Sequence, residues 1–261
     1  GDCGNGMYRY DGRELLHISE KDSLVNNYVR KLYYSQKWNL LLIGTQDGLT
    51  VYDGNRFINF EKEAVNEKID LFITDFIENQ NEILVLTFSF LNCTYKPANA
   101  TLSPVDTNLG YYWGGYQSGF QTSEGKTLLT LRNRLEIWQD KRFIKRIIKP
   151  ANSEEGKSIG EIFDICEDLN DNIWLASWTP DASKPGGLFL YDGERVWRKN
   201  HILDKDPIRG WSLFYDQQDN IMWFGSLDMG LFMIRETLFE YFPPAQFGME
   251  TMYINDIEFD V

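Results

Sequence analysis

Aromatic side chains beside carboxylates, amides and guanidinium groups suit a polyhydroxylated ligand. Sugar rings offer apolar C–H faces to Trp and Tyr, while their hydroxyls pair with polar side chains. Three stretches carry such sets: NLGYYWGGYQSG (Asn108 to Gly119), SWTPDASKPGG (Ser177 to Gly187) and HILDKDPIRGW (His201 to Trp211). Their candidates are Tyr111, Tyr112, Trp113, Trp178, Asp181, Arg209 and Trp211. The competing reading is that these aromatics pack between sheets and touch no ligand.

Other chemistry is sparse. The chain holds 2 His, His17 and His201, too few for a zinc site or a Ser-His-Asp system. No glycine loop of Walker or dinucleotide type is present. DLNDN (Asp168 to Asn172) resembles the start of an EF-hand loop but lacks its later Gly and Glu, so it reads as a plain turn. N-C-T at Asn92 and N-A-T at Asn99 match the glycosylation pattern. The 3 Cys, at positions 3, 93 and 166, form no disulfide framework, and Cys166 in IFDICED reads as a small buried thiol.

The elements that position these residues come from an internal repeat. Gly6 is followed by MYRYDG, Gly48 by LTVYDG, Gly187 by LFLYDG and Gly230 by LFMIRE, with a weaker copy, RLEIWQD, at Arg134. The interval is about 43 residues or twice that, apart from one longer step carrying the 177–187 insertion. Each unit reads as four short strands, a to d. In one unit these are GEIFDICED, IWLAS, GLFLYDG and RVWRK. Such runs, rich in Ile, Leu, Phe, Trp and Tyr and bounded by Asn, Asp and Gly, are strand signals, and no long run has helical periodicity.

Four antiparallel strands repeated at this interval predict an all-β chain, a β-propeller. A lone four-stranded sheet cannot cover both apolar faces, whereas radial stacking sandwiches each sheet between neighbours. One domain over 1–261 is expected, with blades at 252–261 plus 1–18, 22–60, 69–105, 110–147, 160–199 and 208–242. That makes six blades, the closing one shared by the two ends of the chain. A strand b is missing from that blade. It is therefore three-stranded, or the chain is a fragment of a longer, seven-bladed array.

Repeat register then sorts the candidates. In a propeller the d-to-a and b-to-c connections share one face, which gathers Tyr112, Trp113, Trp178, Arg209 and Trp211. Aligned strands a give a polar row of Lys31, Asp75, Ser118, Asp164, Ser212 and Asp256. It reads as a ring of wet or hydrogen-bonded residues; alternatively, Asp75, Asp164 and Asp256 converge on a cation such as Ca²⁺. The preceding position gives Arg30, Thr74, Gln117, Phe163, Trp211 and Asn255, a mixed set without evident chemistry. Arg30 joins the ligand candidates from this row.

EDLNDNIWLAS with GGLFLYDG, DQQDNIMWFGS with MGLFMI, and LLIGTQDGLTVYDG resemble the two-component regulator propeller repeat. The units at 69–105 and 110–147 lack its G-L-x-x-Y-D phrase. The resemblance implies an extracytoplasmic, periplasmic or extracellular sensor region of bacterial hybrid two-component systems, common in glycan-degrading gut bacteria. It implies a non-enzymatic role and a histidine-kinase partner.

Composition fits that setting. The net charge of -13 opposes binding to nucleic acid and to anionic membrane surfaces. No stretch has the length and apolarity of a membrane span. No cofactor is expected. The alternatives are a metal-dependent six-bladed hydrolase or lactonase, and an interaction scaffold whose aromatic face forms a homodimer contact.

Overall fold

The computed structural model describes residues 4–10, 15–65, 70–89, 92–105, 115–140, 142–148, 151, 159–178, 186–199, 209–227, 229–235 and 238–243. Its residues fall into two compact units, Gly1–Tyr116 and Gln117–Val261.

In the first unit, β1 (Met7–Tyr10) and β2 (Leu15–Ile18) form a two-stranded sheet. A four-stranded blade follows: β3 (Val29–Ser35), β4 (Leu40–Thr45), β5 (Gly48–Tyr52) and β6 (Phe57–Glu61). The next comprises β7 (Ile73–Glu78), β8 (Ile83–Thr87), β9 (Cys93–Lys96) and β10 (Thr101–Pro104).

The second unit holds three blades. They are β11 (Ser118–Gln121) to β14 (Arg142–Ile147), β15 (Glu161–Glu167) to β18 (Val196–Arg198), and β19 (Gly210–Asp216) to β22 (Leu238–Phe242). Within them β12 is Thr127–Leu131, β13 Arg134–Gln139, β16 Ile173–Trp178, β17 Gly187–Tyr191, β20 Ile221–Ser226 and β21 Gly230–Arg235. All five blades are antiparallel meanders. The described residues thus hold five four-stranded blades and one two-stranded sheet. The strand a expected at 251–261 lies outside them.

The apolar cores lie between successive blades, which explains the near-continuous apolar runs. Leu42, Leu49 and Val51 of one blade meet Ile73 and Phe76 of the next. In the second unit Leu128, Leu135 and Ile137 meet Ile162 and Ile165, while Ala176 and Leu188 meet Leu213 and Phe224. ILVLT of β8 is buried along its whole length, as a central strand covered on both faces must be. The approach is close enough to demand glycine in β4. A Cβ on Gly44 would stand 2.6 Å from Ile73 Cγ2 and 3.1 Å from Phe76 Cζ.

The recurrent Y-D-G phrase is a turn that satisfies its own polar groups. Asp192 Oδ1 accepts from the N–H groups of Glu194 (2.9 Å) and Arg195 (2.7 Å), and Oδ2 accepts from Trp197 Nε1 (2.6 Å). These donors, the Arg195 amide foremost, hold the Asp192 carboxyl down at about 2. Tyr191 donates to the Gly193 carbonyl at 2.5 Å, and Gly193 takes φ +92°, a region closed to most side chains. Asp53 repeats the arrangement with Asn55 and Arg56, and Tyr52 with Gly54. DLNDN is likewise a turn: Asp168 accepts from Asn170 N, Asn172 N and Trp174 Nε1.

Some expectations need adjustment. Among the described residues there is one short α-helix, α1 (Lys62–Val65), with 3-10 turns at Glu20–Asp22 and Pro97–Asn99. Asn92 is fully buried and accepts from Thr87 N at 2.9 Å, so it serves the b-to-c connection of its own blade. Cys93 is buried, and burial pushes its thiol up to about 12. Cys166 is only partly buried, with its sulfur 3.3 Å from Met222 Sδ.

Candidate functional site

Strand a has a β-bulge in four blades. Register slips by one residue between Val29 and Lys31, Ile73 and Asp75, Ile162 and Asp164, and Gly210 and Ser212. The extra residues are Arg30, Thr74, Phe163 and Trp211. Gln117 holds the matching place before β11, its N–H donating to Thr130 O at 2.9 Å. A bulge re-aims the side chain it carries. The row that looked chemically mixed in sequence is therefore the row that backbone geometry singles out.

The row after it is structural. Asp75, Ser118, Asp164 and Ser212 are all buried, so they are not a wet ring. Asp164 Oδ1 accepts from Ile165 N at 3.1 Å, and Oδ2 accepts from Leu213 N, on the next blade, at 2.7 Å. Asp75 Oδ1 accepts from Phe76 N at 2.9 Å and lies 3.7 Å from Lys31 Nζ, on the preceding blade. Carboxylates here cap their own strand and link it to a neighbour. Among the described residues, no group of three His, Cys, Asp or Glu is arranged to hold a metal. Asp256 lies outside them.

In the second unit three predicted residues come together. Trp178 is the last residue of β16, not part of the following loop, and Trp211 lies within β19. Their ring centroids are 6.2 Å apart. Phe163, which sequence reasoning did not select, stacks on Trp211 at 4.1 Å with an 18° interplanar angle and lies 6.2 Å from Trp178. The Arg209 guanidinium carbon sits 5.9 Å from the Trp178 ring centre. The three aromatics are half-buried and Arg209 is exposed, leaving a partly accessible apolar platform with a cation beside it.

Polar groups border the platform. Glu161 is the direct cross-strand partner of Trp178, so both side chains leave the same face of the sheet. Glu161 Oε2 accepts from Gln117 Nε2 at 3.1 Å. The other amide atom, Gln117 Oε1, is buried and has no hydrogen-bond partner among the described residues.

Arg30 belongs to the first unit. Its guanidinium carbon lies 5.0 Å from the Phe72 ring centre, and Phe72 is 5.7 Å from Phe88, a 59% exposed side chain. Thr74 donates to Tyr116 O at 2.7 Å. Tyr111, Tyr112, Trp113, Asp181 and Asn255 lie outside the described residues.

Structures similar to this chain include two extracellular domains of hybrid two component systems from B. thetaiotaomicron. That of BT4673 aligns with a TM-score of 0.65 and 16% identity, over 92% of this chain and 31% of its own. That of BT3049 aligns with a TM-score of 0.65 and 19% identity, over 90% of this chain and 32% of its own. The fold is a β-propeller.

The chain spans about a third of the length of these two domains. A propeller of the same kind occurs in virginiamycin B lyase from Staphylococcus aureus, with a TM-score of 0.64, 9% identity, and 92% of this chain and 78% of that one covered. At such identities the likeness is one of fold, and a fold shared by extracellular domains of two component systems and a lyase does not fix a function. No protein-family model matches the chain, and no curated protein matches it in sequence. Among the described residues, no helix is long and apolar enough to cross a membrane.

Proposed function

We propose that this propeller is a non-enzymatic ligand-sensing domain that binds a saccharide on the Phe163–Trp178–Trp211 platform. The carrying observation is the pair of bulges that place Phe163 and Trp211 face to face at 4.1 Å beside Trp178. All three rings are half-buried, with Glu161 and Arg209 beside them. Stacking on the apolar face of a sugar, with hydroxyls reaching the flanking polar groups, uses every part of that arrangement.

The similar structures are extracellular domains of hybrid two component systems, which supports an extracytoplasmic location and relay to a histidine-kinase partner. No metal is needed on this reading, because the carboxylates of Asp75 and Asp164 already accept from backbone amides.

The test is a thermal-shift screen of oligosaccharides and divalent cations against wild type and Trp211→Ala. The reading expects at least one oligosaccharide to stabilise wild type and to lose that effect in the variant. Stabilisation by Ca²⁺ alone contradicts it.

A further inference from the structure

The aromatic platform has groups of opposite charge beside Trp178, Glu161 and Arg209, and the carboxylate is held by a side-chain hydrogen bond from Gln117. Glu161 stands opposite Trp178 across the β15–β16 pairing, and Gln117 Nε2 donates to its Oε2 at 3.1 Å. That contact fixes the amide orientation, because the reverse would set two oxygens against each other. It also turns Gln117 Oε1 into a buried site with no partner among the described residues. A buried acceptor left unpaired destabilises a fold. Functional sites are among the places where such local rules are broken.

We propose that Glu161, oriented by Gln117, is the hydroxyl-binding edge of this platform and that it selects neutral, hydroxyl-rich sugar rings over acidic ones. The inference rests on the saccharide reading above. A carboxylate accepts hydrogen bonds and cannot donate them, so the ligand edge that meets Glu161 must donate. Vicinal hydroxyls do so; a uronate carboxylate repels instead. The net charge of -13 acts in the same direction at longer range. Arg209, on the Trp178 ring, accommodates a ligand oxygen as acceptor and gives the bound ring a defined direction. Gln117 acts through Glu161 and is a positioning residue.

The experiment is calorimetric titration with a panel of neutral disaccharides and their uronate-containing counterparts, using wild type, Trp211→Ala, Gln117→Leu and Glu161→Gln. Wild type is expected to bind a neutral member and to reject its acidic counterpart. Gln117→Leu should weaken that binding by roughly tenfold. Its melting temperature should be unchanged or higher, since the unpaired acceptor is gone, whereas a merely structural Gln117 would lower the melting temperature and spare affinity. Glu161→Gln should bring the acidic counterpart close to the neutral one in affinity. A preference of wild type for the uronates overturns the proposal. So does undiminished binding by Gln117→Leu and Glu161→Gln when Trp211→Ala has lost it, an outcome that leaves the platform reading standing. If no disaccharide binds, both fail together.

Discussion

Asp164→Ala should lower stability sharply while leaving any platform ligand bound. Asp164 is 4% exposed, and its two oxygens accept from Ile165 N at 3.1 Å and Leu213 N at 2.7 Å. Truncation leaves both donors in a buried place without that acceptor, since Ile165 and Leu213 are themselves 6% and 5% exposed. Hydrogen bonds to a charged group contribute about 1.5–3 kcal/mol each, so the loss is about 3–6 kcal/mol. In a chain of this size that corresponds to a fall of roughly 6–24 °C in melting temperature. Asp164→Asn keeps one acceptor oxygen and should lose about half as much. Differential scanning calorimetry of wild type and both variants measures this. A melting temperature for Asp164→Ala within about 2 °C of wild type refutes the inter-blade link. A Ca²⁺-dependent stabilisation that disappears in this variant makes Asp164 a metal ligand instead.

Two further outcomes follow from the packing and the turns. Gly44→Ala drives a Cβ to 2.6 Å from Ile73 Cγ2, where Ile73 and Phe76 are buried and cannot yield. Overpacking of this kind costs about 1–3 kcal/mol, to be read from urea unfolding midpoints. Asp192, held at about 2 against an ordinary 3.8, adds stability that is complete above 3.8 and is lost as the pH falls towards 2. The stability gap between wild type and Asp192→Asn should therefore close over that interval, and a gap that stays constant with pH assigns the turn's stability to other groups.

The blade pattern was legible because repetition multiplies a weak strand signal. GLFLYDG and LTVYDG carry their own turn chemistry in Asp and Gly, and the described residues hold five four-stranded antiparallel sheets. The site was legible only in part. Trp178, Arg209 and Trp211 were placed by register and do come together. Phe163 escaped because a bulge is a one-residue slip in pairing, invisible in a strand that reads as evenly apolar. The signal for it was present as a row: Arg30, Thr74, Gln117, Phe163 and Trp211 share no chemistry, which is what a position freed from the core looks like. The adjacent Asp residues drew attention as ligands because a carboxylate between apolar neighbours suggests a cation. Asp164 accepts from backbone N–H groups of its own strand and of the next blade, a use of a carboxylate that the sequence does not display.

The saccharide platform is tested most directly by ¹⁹F NMR of protein labelled with fluorotryptophan, with resonances assigned by single Trp→Phe substitutions. Oligosaccharides would be titrated into the labelled protein. The account predicts that the Trp178 and Trp211 resonances shift together and saturably, while those of Trp38, Trp138, Trp174, Trp197 and Trp223 stay in place. Saturable shifts confined to the latter group, or a ligand that binds without moving Trp178 and Trp211, would contradict it.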